Sequence, residues 1–479
     1  MKMAASNNDG KYETVPVADK HAGDELQVED QNDEDHNTVV LPAQLLRDIF
    51  DSFKKLFIII HHQVHDKSLV CVGKTQNVRL ALPGPKMKMS RVIRKNLNIL
   101  LNDVVTFDAC QNIIEGERLE VAPIYDTING LTGSLLNIFL IPYFRIKNPG
   151  RPVNQGEFFI VRAAMRAVEF QVIKTVPEPY CIVGPKTKIV CKDVPVKREE
   201  VKSSLNEVGY DSIGAVKKQL ASIKEMAEFT LRHQPLIKLS GATLAQRILL
   251  YGPPGTGKTL VARAVANETG ASFFLISGQE MMSKLAGDEE VTLTKVFEEA
   301  VKKSSAIIFI DELDAIVRKR QNTHGEVECC IVSQLLTIME NLKQHSHVLF
   351  MAATNQPNDI DSKRFGFNLE VDLNIADDDV NGRLEILLIH TKNWNLHHDV
   401  NLEQIAKETP GYVGGNLVSL CSEAYLQQLR EKKDIFVPGQ DTYPVEKLDL
   451  LCITEENFRV ALELSKKTVL RKSVSKKKD

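Results

Sequence analysis

The residues best suited to chemistry lie in one run, Arg247-Ile248-Leu249-Leu250-Tyr251-Gly252-Pro253-Pro254-Gly255-Thr256-Gly257-Lys258-Thr259. An apolar stretch long enough for one buried strand breaks into a Gly/Pro-rich turn, and Leu260-Val261-Ala262-Arg263-Ala264-Val265-Ala266 then reads as a helix. Strand, loop and helix in that order form the context of a phosphate-binding loop. Pro254, Gly255, Thr256 and Gly257 line the turn, whose glycines would leave backbone N–H groups free to wrap phosphates, and the helix that opens through Leu260 adds the partial positive charge of its N-terminus. Lys258 would reach the outer phosphates as a point charge, and the Thr259 hydroxyl would ligate magnesium. The plain alternative is a glycine turn with a surface lysine. All fixed positions of the pattern are filled between the right flanks, so the run is read as a nucleotide site, with ATP and Mg2+ as its ligands.

A second cluster supports that reading. Ser305-Ala306-Ile307-Ile308-Phe309-Ile310-Asp311-Glu312-Leu313-Asp314 is a strand with acids at its carboxyl end. Asp311 would hold magnesium directly or through water, and Glu312 would polarise the attacking water as general base. Alone, an Asp-Glu pair is two surface acids ending a strand; downstream of a phosphate loop it is catalytic. Asn355 ends the strand Val348–Asn355, where it either positions that water or the γ-phosphate, or simply makes the turn before Gln356-Pro357. Phosphoryl transfer also calls for an arginine, which can contribute about 10³–10⁵ in rate, roughly 4–7 kcal/mol of barrier. The candidate is Arg364 in Asp361-Ser362-Lys363-Arg364-Phe365-Gly366, which spacing alone does not separate from any surface arginine.

The elements that must carry these residues follow from periodicity. Ser272–Ile276, Ser305–Ile310 and Val348–Ala353 are continuous apolar runs, alternating with helical patterns such as Leu293–Lys302. That alternation predicts a parallel sheet covered on both faces, with ligands at the strand carboxyl ends. Residues 216–378 form this α/β P-loop subdomain, entered through a helix over Val216–Leu231. Residues 379–470 form an α-helical lid, with helical spacing over Leu384–His390 and Leu417–Leu429. Residues 471–479 are a basic tail, solvated or, alternatively, a nuclear-import signal.

Upstream the text changes. Residues 1–38 are acidic and poor in apolar residues, so a disordered solvated tail is expected, with an acidic docking segment as the alternative. Residues 39–195 hold short β-rich runs, among them Asn98–Leu101, Glu157–Val161, Ala167–Ile173 and Tyr180–Val183, which predict a separate β-barrel or sandwich domain serving as a binding surface. His61, His62 and His65 flank a hydrophobic run and read as surface rather than a metal site. Residues 196–215, charged and near a proline, read as a linker.

Bulk numbers narrow the class. The 479 residues suggest two to four domains. A net charge of −3 argues against a basic nucleic-acid-binding surface, and no aromatic platform for nucleic acid is evident. Cys71, Cys110, Cys181, Cys191, Cys329, Cys330, Cys421 and Cys452 contain no Cys-x-x-Cys pair, so neither a zinc ribbon nor a redox motif is suggested. Without a signal peptide, reduced thiols in the cytosol or nucleus are expected. The longest apolar runs are far too short for a transmembrane segment.

Taken together, Gly252–Thr259, Ile307–Asp314, Met351–Asn355 and Gly411–Asn416 resemble an AAA-type ATPase, and more closely the valosin-containing-protein family of segregases. The likeness extends through Ser204–Asp211, His324–Glu328, Met165–Phe170 and Ile141–Phe144; it is strong over about 116–430 and weak before 85. It implies an N-terminal domain of a double-psi barrel plus a small β-barrel that binds adaptor proteins, followed by a nucleotide module with a helical lid. It further implies a homo-hexamer, or a mixed ring with a related ATPase, that remodels or extracts ubiquitin-tagged proteins. By position, Ile213 and Gly214 would flank the base, while His390, Gly414 and Gly415 would contact the adenosine from the lid. Arg364 would act on the neighbouring subunit's nucleotide.

This chain departs from that pattern at several places. Phe367-Asn368-Leu369 stands where a second finger arginine is expected. Cys329-Cys330 replaces two interface arginines, and Lys284-Leu285-Ala286-Gly287 has leucine where a substrate-gripping aromatic is expected. Ala163-Ala164 replaces a glycine pair. The first barrel is expected to be eroded before residue 85, and a second ATPase module to be absent. These departures favour an alternative, a weakly active nucleotide-bound scaffold or regulatory subunit that assembles with a full-length relative.

Overall fold

The computed structural model describes residues 26–30, 37–41, 56–62, 67–75, 86–110, 113–192, 194–197, 208–232, 247–279, 289–316, 326–342, 347–360, 362–376, 378–432 and 443–475. They form two compact units, Met1–Asn206 with Pro438–Leu450, and Glu207–Val437 with Leu451–Asp479.

The first unit opens with a closed six-stranded barrel made of β1 (Leu26–Asp30), β2 (Thr38–Leu41), β3 (Leu56–His62), β4 (Lys67–Thr75), β5 (Lys86–Met89) and β6 (Val104–Cys110). Around the barrel the order is β1-β5-β2-β4-β3-β6, with β1/β5 and β2/β4 parallel among antiparallel neighbours. Its interior is filled by Leu26, Val28, Val39, Leu41, Ile58, Ile60 and others, all buried. Strand alternation drives this: Leu26 and Val28, two positions apart on β1, are both fully buried. The acidic stretch expected as a tail therefore contributes a strand to the barrel, which the described strands close. Asn98–Leu101 is also corrected, from strand to turn. It follows the helix Arg91–Leu97, with Asn98 and Asn102 both left-handed at φ 60° and 64°, a conformation asparagine tolerates.

Beyond the barrel lie β7 (Arg118–Pro123), β8 (Leu131–Thr132), β9 (Pro152–Asn154), β10 (Phe158–Ala163), β11 (Arg166–Val176), β12 (Tyr180–Ile182) and β13 (Lys188–Cys191). The sheet β10-β11-β7-β13 and the pair β12-β9 enclose a core with Phe139, Phe144, Phe159 and Phe170. Val196, expected in the linker, bridges to Ile124 and so belongs to this unit. Residues 438–450, expected in the lid, also fall here. β19 (Tyr443–Pro444) pairs in parallel with β8, and Leu448 packs against the same aromatic core.

The second unit holds a five-stranded sheet of β14 (Arg247–Tyr251), β15 (Ser272–Ser277), β16 (Ala306–Asp311), β17 (Val348–Thr354) and β18 (Leu369–Asp372). The order is β15-β16-β17-β14-β18 and every pairing is parallel. β17 is buried at all seven positions, as a central strand covered on both faces must be. The entering helix spans Lys217–Arg232. The stretch from Tyr210, expected as linker, belongs to this unit because Tyr210 is buried and its N–H donates to Glu268 Oε1 at 3.4 Å. Helices Val380–Thr391, Leu402–Glu408, Gly414–Glu431 and Glu455–Ser475 make the lid, the last running into the segment expected as a tail. No helix among the described residues is long and apolar enough to cross a membrane.

Candidate active site

The loop after β14 turns on glycines in a backbone conformation that other residues rarely adopt. Gly255 and Gly257 take φ +86° and +91°, in the left-handed region that costs other L-residues roughly 1–2 kcal/mol. The turn delivers Lys258 to the first position of the helix Lys258–Thr269. Lys258 is 7 % exposed, and its Nζ donates to the carbonyls of Gly252 at 2.8 Å and Pro253 at 2.9 Å. Burial lowers its pKa, opposed by the charges of Asp311 and Asp314. A buried cation that donates to neutral carbonyls, at the mouth of a glycine loop, is suited to an anion.

Thr259 Oγ1 donates to Asp311 Oδ2 at 2.5 Å, joining the helix start to the end of β16. A hydroxyl and a carboxylate in contact beside the loop form the hard-oxygen donor set that suits magnesium. Asp311 Oδ1 accepts from the Glu312 N–H at 3.0 Å, and Glu312 itself is left-handed at φ 53°. For a non-glycine residue that is strain of the kind functional sites hold. The neighbouring strand is tied in by Asp314. Its Oδ1 accepts from Thr354 Oγ1 at 2.8 Å and from the Asn355 N–H at 3.3 Å. Lys258, Thr259, Asp311, Glu312 and Asn355 thus gather at the carboxyl ends of β14, β16 and β17, where open parallel sheets bind ligands.

The lid meets the loop backbone to backbone. The Gly415 N–H donates to Gly255 O at 2.7 Å, and a Cβ on Gly414 would stand 3.2 Å from the same oxygen. On the other flank, a Cβ on Gly214 would lie 3.0 Å from Ile386, one helical turn before His390. The Ala215 N–H next to it donates to Glu385 Oε2 at 3.2 Å. Burial lowers the His390 pKa, which favours the neutral ring. Gly414 and Gly415 therefore meet the loop at Gly255, while Gly214, next to Ile213, packs against the lid helix that carries His390.

Arg364 is placed apart from the others. It is exposed, on the short helix Ser362–Phe365, beside a residue bonded to the amino end of β14 rather than to the loop. Lys284–Gly287 and His65 lie outside the described residues, as do the side chains of Cys329 and Cys330. His61 pairs with Asp108 at 3.3 Å, and no cluster of metal-ligating residues occurs among the described residues.

Two contributors carry no signature in the sequence. Asp314 follows the acid pair by two residues, yet its role emerges only from the contact with β17. Gly278, just past β15, is buried, and a Cβ there would fall 2.4 Å from Glu312 O and 3.1 Å from Asp311 O. A glycine ending a strand gives no hint of which backbone it must admit.

Three families match the chain. Residues 248–372 match the ATPase family associated with various cellular activities (AAA). Residues 399–441 match the AAA+ lid domain, and residues 137–198 match domain 2 of Cell division protein 48. The first match runs from the second residue of β14 to the last of β18, so it covers the sheet that carries the loop and acids. The third covers most of the second barrel of the first unit. These matches point to an AAA ATPase like Cell division protein 48, with an N-domain and an ATPase module.

Proposed function

We propose that this chain binds ATP with magnesium and hydrolyses it as a segregase, working in a hexameric ring to remodel or extract ubiquitin-tagged proteins that adaptors bring to its N-domain. The observation that carries the reading is the joined set Thr259–Asp311, Glu312 and Asp314–Asn355 beside the glycine loop. In this account Lys258 and the loop N–H groups bind the phosphates, and Thr259 and Asp311 hold the metal, whose charge would stabilise the γ-phosphate oxygens. Glu312 takes a proton from the attacking water, Asn355 orients that water, and Arg364 reaches the nucleotide of the adjacent subunit. The cytosol or nucleus is the compartment this function requires.

A second reading, a weakly active scaffold within a ring of related subunits, is favoured by Phe367-Asn368-Leu369, which offers no second finger arginine. Unfolding of a ubiquitin-tagged fluorescent protein separates the two. The segregase account expects ATP-dependent loss of fluorescence that Glu312→Gln abolishes. ATP turnover with no loss of fluorescence, in the presence of adaptors, would leave the scaffold as the better description.

A further inference from the structure

Arg247 opens β14 at the end of the strand away from the phosphate loop, yet it is 7 % exposed and its side chain donates to main-chain carbonyls. Nη1 donates to Phe365 O at 2.6 Å and Nη2 donates to Met339 O at 2.6 Å. Its own carbonyl accepts the Asn368 N–H at 3.0 Å. One residue therefore grips the segment Phe365-Gly366-Phe367-Asn368 at both ends, by guanidinium and by backbone.

The rest of that segment is fixed too. Phe365 is fully buried in the core of the sheet. Phe367 lies 6.2 Å from the Phe365 ring and 6.3 Å from the Phe350 ring. Gly366 makes the bend at φ +59°, and a Cβ there would stand 3.1 Å from Arg247 Nη1. Arg364, exposed and immediately before Phe365, is thus held out from a base whose position the clasp sets. The Met339 contact joins the last turn of the helix Glu326–Asn341 to the same guanidinium. A planar donor fork suits two carbonyls at once, which a lysine ammonium on a flexible stem does not reproduce.

We infer that Arg247 is a positioning residue for Arg364, fixing the finger so that it meets the neighbouring subunit's nucleotide, and linking that finger to the strand that carries the phosphate loop of its own subunit. This rests on the trans-acting finger proposed above. Misplacing a catalytic group by about 1 Å can cost on the order of 100-fold in rate, so loosening the base should act on turnover and not on nucleotide affinity.

The test is a double-mutant cycle on the full chain: Arg247→Gln, Arg247→Lys, Arg364→Ala and the combinations, each with kcat per site, fluorescent-ADP affinity and Tm. The expected result is a fall in kcat of about 10- to 100-fold for Arg247→Gln and a smaller one for Arg247→Lys. Affinity should stay within about twofold, with no further loss of turnover when either change is added to Arg364→Ala. Losses that multiply with Arg364→Ala, or affinity that falls in step with kcat, would overturn the positioning role while leaving the finger intact. Unchanged turnover in Arg364→Ala alone would overturn the finger reading, and this inference with it. Should Arg247→Gln prove unstable, Arg247→Lys, which keeps the charge and one donor contact, carries the comparison.

Discussion

At the scale of single residues, the site depends on groups held in conformations they would not choose alone. Glu312 sits at φ 53° at a cost of about 1–3 kcal/mol, and Gly278 leaves the room its carbonyl occupies. Gly278→Ala would force that carbonyl, or the whole turn, to move, because its Cβ would stand 2.4 Å from Glu312 O. The expected outcome is a loss in kcat of about 10- to 100-fold and a lowered Tm, with ADP affinity close to that of the parent; equal losses in binding and turnover would show that the glycine shapes the loop instead. The loop itself was legible in the sequence, since phosphate chemistry demands those residue types at those spacings. Gly278, Arg247 and Asp314 were not. Each acts through a contact with a carbonyl or an N–H remote in sequence, and such contacts leave no pattern to read.

At the scale of elements, the two barrels of the first unit are joined by polar contacts rather than by an apolar seam alone. Asn154 on β9 accepts from the Val70 N–H on β4 at 3.2 Å, and Asn96 exchanges two hydrogen bonds of 2.8 Å with the Phe158 backbone. Glu157 holds the first of these in place. It accepts from the Asn154 N–H at 3.0 Å and pairs with Arg151 at 2.5 Å, both charges almost wholly buried. Arg151 also bonds Tyr143 Oη and stacks over the Phe159 ring. Removing one partner of a buried pair leaves the other charge unmet. Glu157→Ala should therefore destabilise the first unit by about 3–5 kcal/mol, read by chemical denaturation, whereas a loss under about 1 kcal/mol would mean that Arg151 finds another partner. Strands such as β10 and β11 were visible from alternation. β1 was hidden because its two core residues, Leu26 and Val28, are embedded in acidic text, and Ile99-Leu100-Leu101 imitated a strand while serving a turn.

At the scale of the whole molecule, the chain order and the spatial units do not coincide. Residues 438–450 leave the lid sequence to add β19 and the helix Val445–Asp449 to the first unit. No local pattern announces such a return, because pairing with β8 joins residues some 300 positions apart. The alternation of strands β14 to β18 with helices, by contrast, was readable as continuous apolar runs between helical patterns. Lys258, Thr259, Asp311, Glu312 and Asn355 gather at one edge of the sheet, while the base of Arg364 is fixed at the far end of β14. The central claim is that this site hydrolyses ATP and that its finger works across a subunit boundary. ATP turnover of the purified chain against protein concentration, with Glu312→Gln as the blank, tests it most directly. The account predicts turnover per site that rises with concentration as rings form and vanishes in Glu312→Gln. Turnover no different from that blank, with ATP binding retained, would contradict it.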